Sequence, residues 1–318
     1  MSPSPPRVSV VMATRNRADP LERALSALLR QDLAEFFELV VVDDASADRT
    51  AEILARLERE DTPGVTVCTL RRAVPGGPAG ARNTGWRAAS GELIAFTDDD
   101  CEPEPDWLAQ LAAAASTGGD AVLQGPTVPH PDQLDRISPF TRTLDVSSLG
   151  PWFPACNIAY PRQLLERLGG FDEGFIRGED TDLAWRARAV GARFAWVPEA
   201  RVRHAVVELG PIGKLRLALA WESAFGVVAR HPELRGELHF GLFWKPQHAE
   251  LLLAMLAVAA CRRFPPAVLL ALPYVRSVRA RIGFERGRPL HAPWYAVHDA
   301  AEMVAALRGS MRNGTLVL

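Results

Sequence analysis

Runs of apolar residues recur through the first third of the chain, at 8–12, in "FELVVVDD", at 65–70 and at 93–97, and segments with helical spacing separate them. Leu21, Leu25, Leu28 and Leu29 mark the first helix, and residues 47–60 and 79–89 read as the next two. Strands joined through helices pair in parallel, because a parallel crossover needs the length that a helix supplies. The chain is therefore expected to be an α/β protein with a doubly wound, mostly parallel sheet. Such a sheet binds its ligand outside the carboxyl ends of its strands, near the point where strand order reverses.

Those strand ends are polar. The first delivers Ala13, Thr14, Arg15 and Asn16, the second Asp43 and Asp44, and the fourth Asp98, Asp99 and Asp100. Three adjacent carboxylates at the mouth of a buried strand repel one another and resist losing water, so the cluster calls for a cation or a strong set of donors. A hard divalent ion, Mg²⁺ or Mn²⁺, takes oxygen ligands and needs only one or two carboxylates besides phosphate oxygens. A dinucleotide would need G-x-G-x-x-G after the first strand, where this chain reads "ATRNRADPLE", and "PGGPAGARNTG" lacks the lysine of a phosphate-binding loop.

Composition narrows the partners. The 318 residues are 48% hydrophobic and 23% charged, as in a globular protein, and a net charge of -2 offers no basic surplus for nucleic acid. Cys68, Cys101, Cys156 and Cys261 are too scattered for a zinc or redox pair, so free thiols in a reducing compartment are expected. The opening "MSPSPPRVSVVMATRNR" has neither the basic start nor the apolar core of a secretory signal. A short loose tail and a cytoplasmic location follow.

Farther along, "GEDTDLAWRA" places Glu179, Asp180 and Asp182 at the start of a helix whose dipole favours ionised acids. Taken singly, each acidic group has an ordinary reading. Asp43, Asp44 and Ser46 are turn formers, Asp100 can cap a helix, Glu179 to Asp182 make an acidic first turn, and His204 is a residue type with many structural uses. Their joint occurrence at strand ends favours a site.

The ordered set "VSVVMATRNR", "VVVDDAS", "GPAGARNTGW", "FTDDD", "GGFDEGFIRGEDTDLAWRARAVG" and "RVRH" resembles the family 2 glycosyltransferases of GT-A fold, over roughly residues 7–205. The resemblance implies an inverting transfer of sugar from a nucleotide diphosphate sugar, with a divalent cation at the D-x-D acids. Asp98 and Asp100 match those acids, the first toward the ribose and the second toward the metal, with Asp99 between them. Asp44 with Asp43 matches the nucleoside-recognising acid, Arg82 and Asn83 a pair beside the donor, and His204 a histidine that helps hold metal or diphosphate. Glu179 and Asp180 match the pair whose aspartate is the catalytic base. Relatives often carry Pro and Tyr where this chain has Ala13 and Arg15, so the edge of the nucleoside pocket beside Thr14 is expected to differ. Trp152, Phe153 and Trp185 are candidates to stack on a sugar.

Residues 1–206 are thus expected to form the transferase domain, with a nucleotide-sugar half at about 7–125 and an acceptor half at about 126–206. Residues 128–154 suggest a loop or lid over the acceptor side. Beyond 206 helical spacing dominates, and 207–318 read as a helical appendage. "AELLLAMLAVAA" and "AVLLALPYV", parted by "CRRFPP", fall short of the roughly 20 apolar residues that span a bilayer. Two readings stand for them: a soluble helical hairpin, and an interfacial one drawn to the inner leaflet by Arg276, Arg279, Arg281, Arg286 and Arg288. The expected acceptor is a sugar or a lipid-linked intermediate of the cell envelope. A sugar-nucleotide nucleotidyltransferase and a non-catalytic binding module are the rival functions, because both would share the metal acids.

Overall fold

The structure is a computed structural model that describes residues 7–118, 121–284 and 288–318; the expected loose tail and Arg286 lie outside the described residues. Two compact units divide the chain: residues 1–131 with 143–205, and residues 132–142 with 206–318.

The first unit opens with β1 (Val8–Thr14), α1 (Ala18–Leu28), β2 (Phe37–Asp43), α2 (Thr50–Leu57), β3 (Val65–Arg71), α3 (Gly77–Ala88) and β4 (Leu93–Asp98). After them come β5 (Cys101–Pro103), α4 (Trp107–Gly118), β6 (Ala121–Gln124) and β7 (Thr127–Pro129). β8 (Thr141–Arg142) belongs to the second unit, and the first resumes with β9 (Asn157–Pro161), α5 (Arg162–Leu168), α6 (Glu179–Ala189), β10 (Arg193–Trp196) and β11 (Val202–His204).

The main sheet has the order β10-β6-β9-β4-β1-β2-β3. All its pairings are parallel except those of β9, which runs antiparallel between β4 and β6. Helices cover both faces, so the strands are apolar on both sides. Along β1, Val8, Val10 and Met12 pack with Leu21, Leu25 and Leu28 of α1, whereas Val11 faces Trp86 of α3 and the opposite core. Strand order reverses between β1 and β4, where the polar strand ends gather.

Helix α2 starts later than the 47–60 expected. Asp48 explains the delay: its carboxylate accepts the Thr50 N–H and hydroxyl and also the Ala18 N–H, holding the preceding residues in a turn. Residues 128–154 are not one structureless lid. Thr127 and Val146 exchange backbone hydrogen bonds of 3.0 and 2.7 Å, and residues 132–142 pack with the second unit.

In that second unit β8 pairs with β12 (Val207–Glu208), and the chain continues through α7 (Gly210–Ala220), α8 (Gly226–Arg230), α9 (Pro246–Ala260), α10 (Leu272–Phe284) and α11 (Ala292–Asn313). The second of the two apolar runs is partly a 3₁₀ segment, Pro265–Ala271, rather than continuous α-helix. Among the described residues no helix is long and apolar enough to cross a membrane. Buried charges knit these helices together: Asp299 accepts from Arg281 at 2.8 and 2.7 Å and from the Tyr274 hydroxyl, and Glu302 accepts from Lys245 at 2.6 Å. Such charges are tolerated inside because they are paired. Arg281 is therefore spent on Asp299 and does not join the outward-facing arginines with which the sequence grouped it.

Candidate active site

β4 ends at Asp98, and the chain turns through Asp99 and Asp100 straight into β5. β5 pairs antiparallel with β11, which sets His204 opposite Cys101 and beside Asp100. This second, three-stranded sheet is how residues far apart in sequence meet.

Two arginines pair with the three acids. Arg17, on the turn before α1, lies 3.0 Å from Asp99 and 2.7 Å from Asp100. Arg82 of α3 bridges Asp98 at 2.7 Å and Glu179 at 2.8 Å, tying the strand end to the start of α6. Burial alone would lower the Arg82 pKa, but Asp98 and Glu179 raise it, so its charge is secure. Burial pushes Asp99 up to about 7 in spite of Arg17, with Asp100 and Asp98 adding repulsion, while the Thr14 hydroxyl donates to it at 2.7 Å.

His204 is fully buried. Its Nδ1 faces the Ala205 carbonyl at 2.7 Å, and because a carbonyl only accepts, that nitrogen carries the hydrogen. Nε2 then presents its lone pair 3.6 Å from Asp100 Oδ1 and has no hydrogen-bond partner among the described residues. An orphaned buried imidazole nitrogen facing a carboxylate fits a divalent cation. Asp100, Cys101 and His204 offer ligand atoms within 4.8 Å of one another, and burial holds the Cys101 thiol well up. Carboxylate and imidazole are therefore what a hard ion would meet.

On the other side of Arg82, α6 begins after Gly178, whose φ of +87° suits glycine and turns the chain sharply into the helix. Asp180 accepts the Thr181 N–H at 2.8 Å and the Ala155 N–H at 3.3 Å. Burial and then the neighbouring Glu179 push its carboxyl up to about 7, although Arg82 and the two N–H donors pull it down. Asp182 faces elsewhere. It is fully buried, pairs with Arg186 at 2.7 Å, and through Arg186 anchors the carbonyls of Leu168 and Gly170.

Several other candidates have local duties. Asp44 accepts the N–H groups of Gly76 and Gly77 at 2.8 and 2.9 Å and pairs with Arg72, shaping the glycine loop that leads to α3. Asp43 accepts the Ser46 N–H and pairs with Arg71 at 2.9 Å. Asn83 uses both donors and both acceptor sites on Phe171, Glu173 and Trp86, clamping the 171–173 loop. Ala13 lies at the β1 end, beside Asp98 of β4 in register, and Arg15 is exposed. Trp185 is half-buried, its indole N–H on the Pro151 carbonyl and its ring under Arg188. Phe153 is corrected outright: it is buried against Phe194 and Arg188, so no ring face is open to a sugar.

Sequence reasoning missed Arg17. The available signal was a second arginine, two residues after Arg15, at the same strand end as the acids.

With this fold and site, the chain belongs to glycosyl transferase family 2, which residues 9–182 match. It is 29% identical over 245 residues to a pre-mycofactocin glycosyltransferase of Mycobacterium tuberculosis, a match covering 73% of this chain and 49% of that protein. It is 32% identical over 282 residues to a validoxylamine A glucosyltransferase of Streptomyces hygroscopicus subsp. jinggangensis, covering 75% of this chain and 63% of that one. The chain thus spans less than two thirds of these curated relatives. Among solved structures, a mannosyltransferase of Pyrobaculum calidifontis in complex with GDP-Man and Mn²⁺ aligns with a TM-score of 0.61 and 26% identity, over 96% of this chain and 87% of that one.

Proposed function

We propose that the protein is an inverting glycosyltransferase that moves a sugar from a nucleotide diphosphate sugar to an acceptor hydroxyl. The observation that carries this reading is the Arg82 bridge. One buried guanidinium links Asp98, at the donor end of the sheet, to Glu179, which adjoins the raised carboxyl of Asp180. A general base poised near neutrality beside a diphosphate-binding end is what a single displacement needs. Asp180 takes the acceptor hydroxyl's proton while the acceptor oxygen bonds to the anomeric carbon and the bond to the diphosphate oxygen breaks. Glu179 pairs with Arg82 at 2.8 Å, and its proximity helps raise the neighbouring Asp180 carboxyl.

Asp100 and His204, with Asp98 close by, would hold Mg²⁺ or Mn²⁺, which as a Lewis acid would stabilise charge on the departing diphosphate. The Pyrobaculum mannosyltransferase, captured with GDP-Man and Mn²⁺, supports both the donor class and the ion. Thr14 would orient Asp99, and the Ala13–Arg15 rim with Asp43 and Asp44 would shape the nucleoside end. Asn83 and Trp185 would act as supports for the 171–173 loop and the acceptor side.

Product analysis with a panel of nucleotide sugars tests this, with and without chelator. Metal-dependent release of nucleoside diphosphate is expected. Release of pyrophosphate would instead identify a nucleotidyltransferase, and binding without turnover a binding module.

A second reading concerns location, and an observation within the helical unit favours it. Met255, Leu256 and Val258 of α9 are more than half exposed, as are Phe264, Val268 and Leu269 in the segment after it. Arg262 and Arg263, between the two runs, and Arg276 and Arg279, in α10, are exposed as well. Exposed apolar side chains and exposed cations in one helical unit suit an anionic lipid surface. We therefore read the protein as peripheral on the cytoplasmic face of a membrane and its acceptor as a lipid-linked one.

A further inference from the structure

Arg17 occupies an unusual place. Its guanidinium divides between Asp99 and Asp100, at 3.0 and 2.7 Å, so it sits against one of the two groups assigned above to the cation. Both carboxylates are nearly inaccessible, whereas the arginine side chain is about a third exposed, at 32%. It stands at the turn between β1 and α1, where its backbone carbonyl accepts the Leu21 N–H and its side chain, partly open to solvent, reaches the acids through its charged tip. Asp100 meanwhile is shared: Oδ2 takes the Arg17 Nη2, and Oδ1 faces the orphaned Nε2 of His204 at 3.6 Å. A divalent ion joined to that oxygen and that nitrogen would lie on the opposite side of a single carboxylate from a fixed positive charge. Like charges at such range repel strongly in a site sheltered from water.

We propose that Arg17 is a displaceable counter-ion. It pairs with Asp99 and Asp100 while the donor is absent, and moves to the donor's diphosphate oxygens when cation and nucleotide enter together. The proposal rests on the transferase reading and adds to it an order of loading. The cation alone is held off, because nothing then draws the guanidinium away. A nucleoside diphosphate supplies that second partner, since planar guanidinium forks match phosphate oxygens as well as carboxylates. The cation then takes the guanidinium's place beside Asp100, and Asp99 keeps the hydrogen bond from the Thr14 hydroxyl.

The test is binding, not turnover. Mn²⁺ affinity is measured by the loss of the free-ion paramagnetic resonance signal, first without nucleotide and then with GDP or UDP, for wild type, Arg17→Gln, Arg17→Lys and His204→Ala. In the absence of nucleotide, Arg17→Gln is expected to bind Mn²⁺ about tenfold more tightly than wild type and Arg17→Lys about threefold, because a lysine keeps charge but not the fork. With nucleotide present the order reverses: wild type gains Mn²⁺ affinity and Arg17→Gln gains much less. Equal Mn²⁺ affinity of wild type and Arg17→Gln without nucleotide overturns the counter-ion role. If Arg17→Gln does not fold, judged by circular dichroism, Arg17→Lys decides on the same criterion. Nucleotide-assisted binding that survives in wild type but vanishes in His204→Ala would leave the transferase site standing even if Arg17 fails. Absence of Mn²⁺ binding in folded wild type, with or without nucleotide, would overturn the cation site and the proposal together.

Discussion

Asp180 and Asp182 are two residues apart and have opposite expected phenotypes. Asp180→Asn keeps the side chain's shape and removes the proton acceptor, so kcat is expected to fall by about 10²- to 10⁴-fold with donor affinity little changed. The pH dependence has a definite sign. Because burial and Glu179 push the Asp180 carboxyl up to about 7, wild-type turnover should rise with pH through about 7 and level off above it. Stability runs the other way. The folded chain holds this proton more tightly than the unfolded one, so the Asp180 contribution falls as pH rises from about 4, the ordinary carboxylate value, to about 7. Asp180→Asn should therefore be more stable than wild type above neutrality, a dead enzyme with a raised Tm. Asp182→Asn should instead lose on the order of 3 kcal/mol, since it breaks a buried pair with Arg186. An active Asp180→Asn enzyme would remove the base. The acids were legible in the sequence because like charges at a strand end demand an explanation. What neutralises them was not. Which arginine of "TRNR" turns inward depends on Asn16, whose φ of +52° and bonds to Ser46 and Ala47 leave Arg15 outside and Arg17 against the acids.

At the level of elements, the site depends on how α6 is delivered to the end of β4, and α3 does this twice. Arg82 reaches Glu179 directly, and the adjacent Asn83 grips the 171–173 loop from which α6 follows. All four hydrogen-bonding positions of the Asn83 amide are used. Asn83→Ala would strand the N–H groups of Trp86 and Phe171 in the interior, and about 2–4 kcal/mol of stability should be lost by urea denaturation. If Asn83 is a clamp and not a donor ligand, the folded variant at low temperature should bind nucleoside diphosphate within about twofold of wild type and lose mainly kcat, through a misplaced Asp180. A large loss of donor affinity with unchanged stability would return Asn83 to the donor pocket. The strands and the first three helices could be read from periodicity alone, because burial on both sheet faces writes itself as continuous apolar runs. The β5–β11 pairing could not. Short strands carry little pattern, and only their pairing brings His204 to Asp100.

The whole molecule joins an α/β catalytic unit to a helical unit whose outer surface is more apolar than water favours. Sequence showed the two runs and their arginines, but not which side chains the fold would spend. Tyr274 and Arg281 go inward to Asp299, and Leu251, Ala254 and Val278 pack inside, while Leu256, Val258, Phe264 and Leu269 remain outside. Four exposed arginines near an anionic surface supply about 1 kcal/mol each, which by itself gives only millimolar binding. Stable attachment therefore needs the apolar residues, each worth about 1.5–3 kcal/mol when buried. The full chain is expected to sediment with vesicles containing phosphatidylglycerol. Raising the salt should weaken the association without abolishing it, because salt screens the arginines and leaves the apolar term. Replacing Leu256 and Leu269 together by Asp should abolish sedimentation at every salt concentration, whereas Arg262→Glu with Arg263→Glu should lower it about tenfold at low salt and little at high salt. Both sites are exposed, so the variants should keep the wild-type Tm, and transfer to a water-soluble acceptor should be unchanged. If the intact, folded chain ignores vesicles of every composition, the apolar face is not a lipid-binding surface and the acceptor must come to the enzyme from solution.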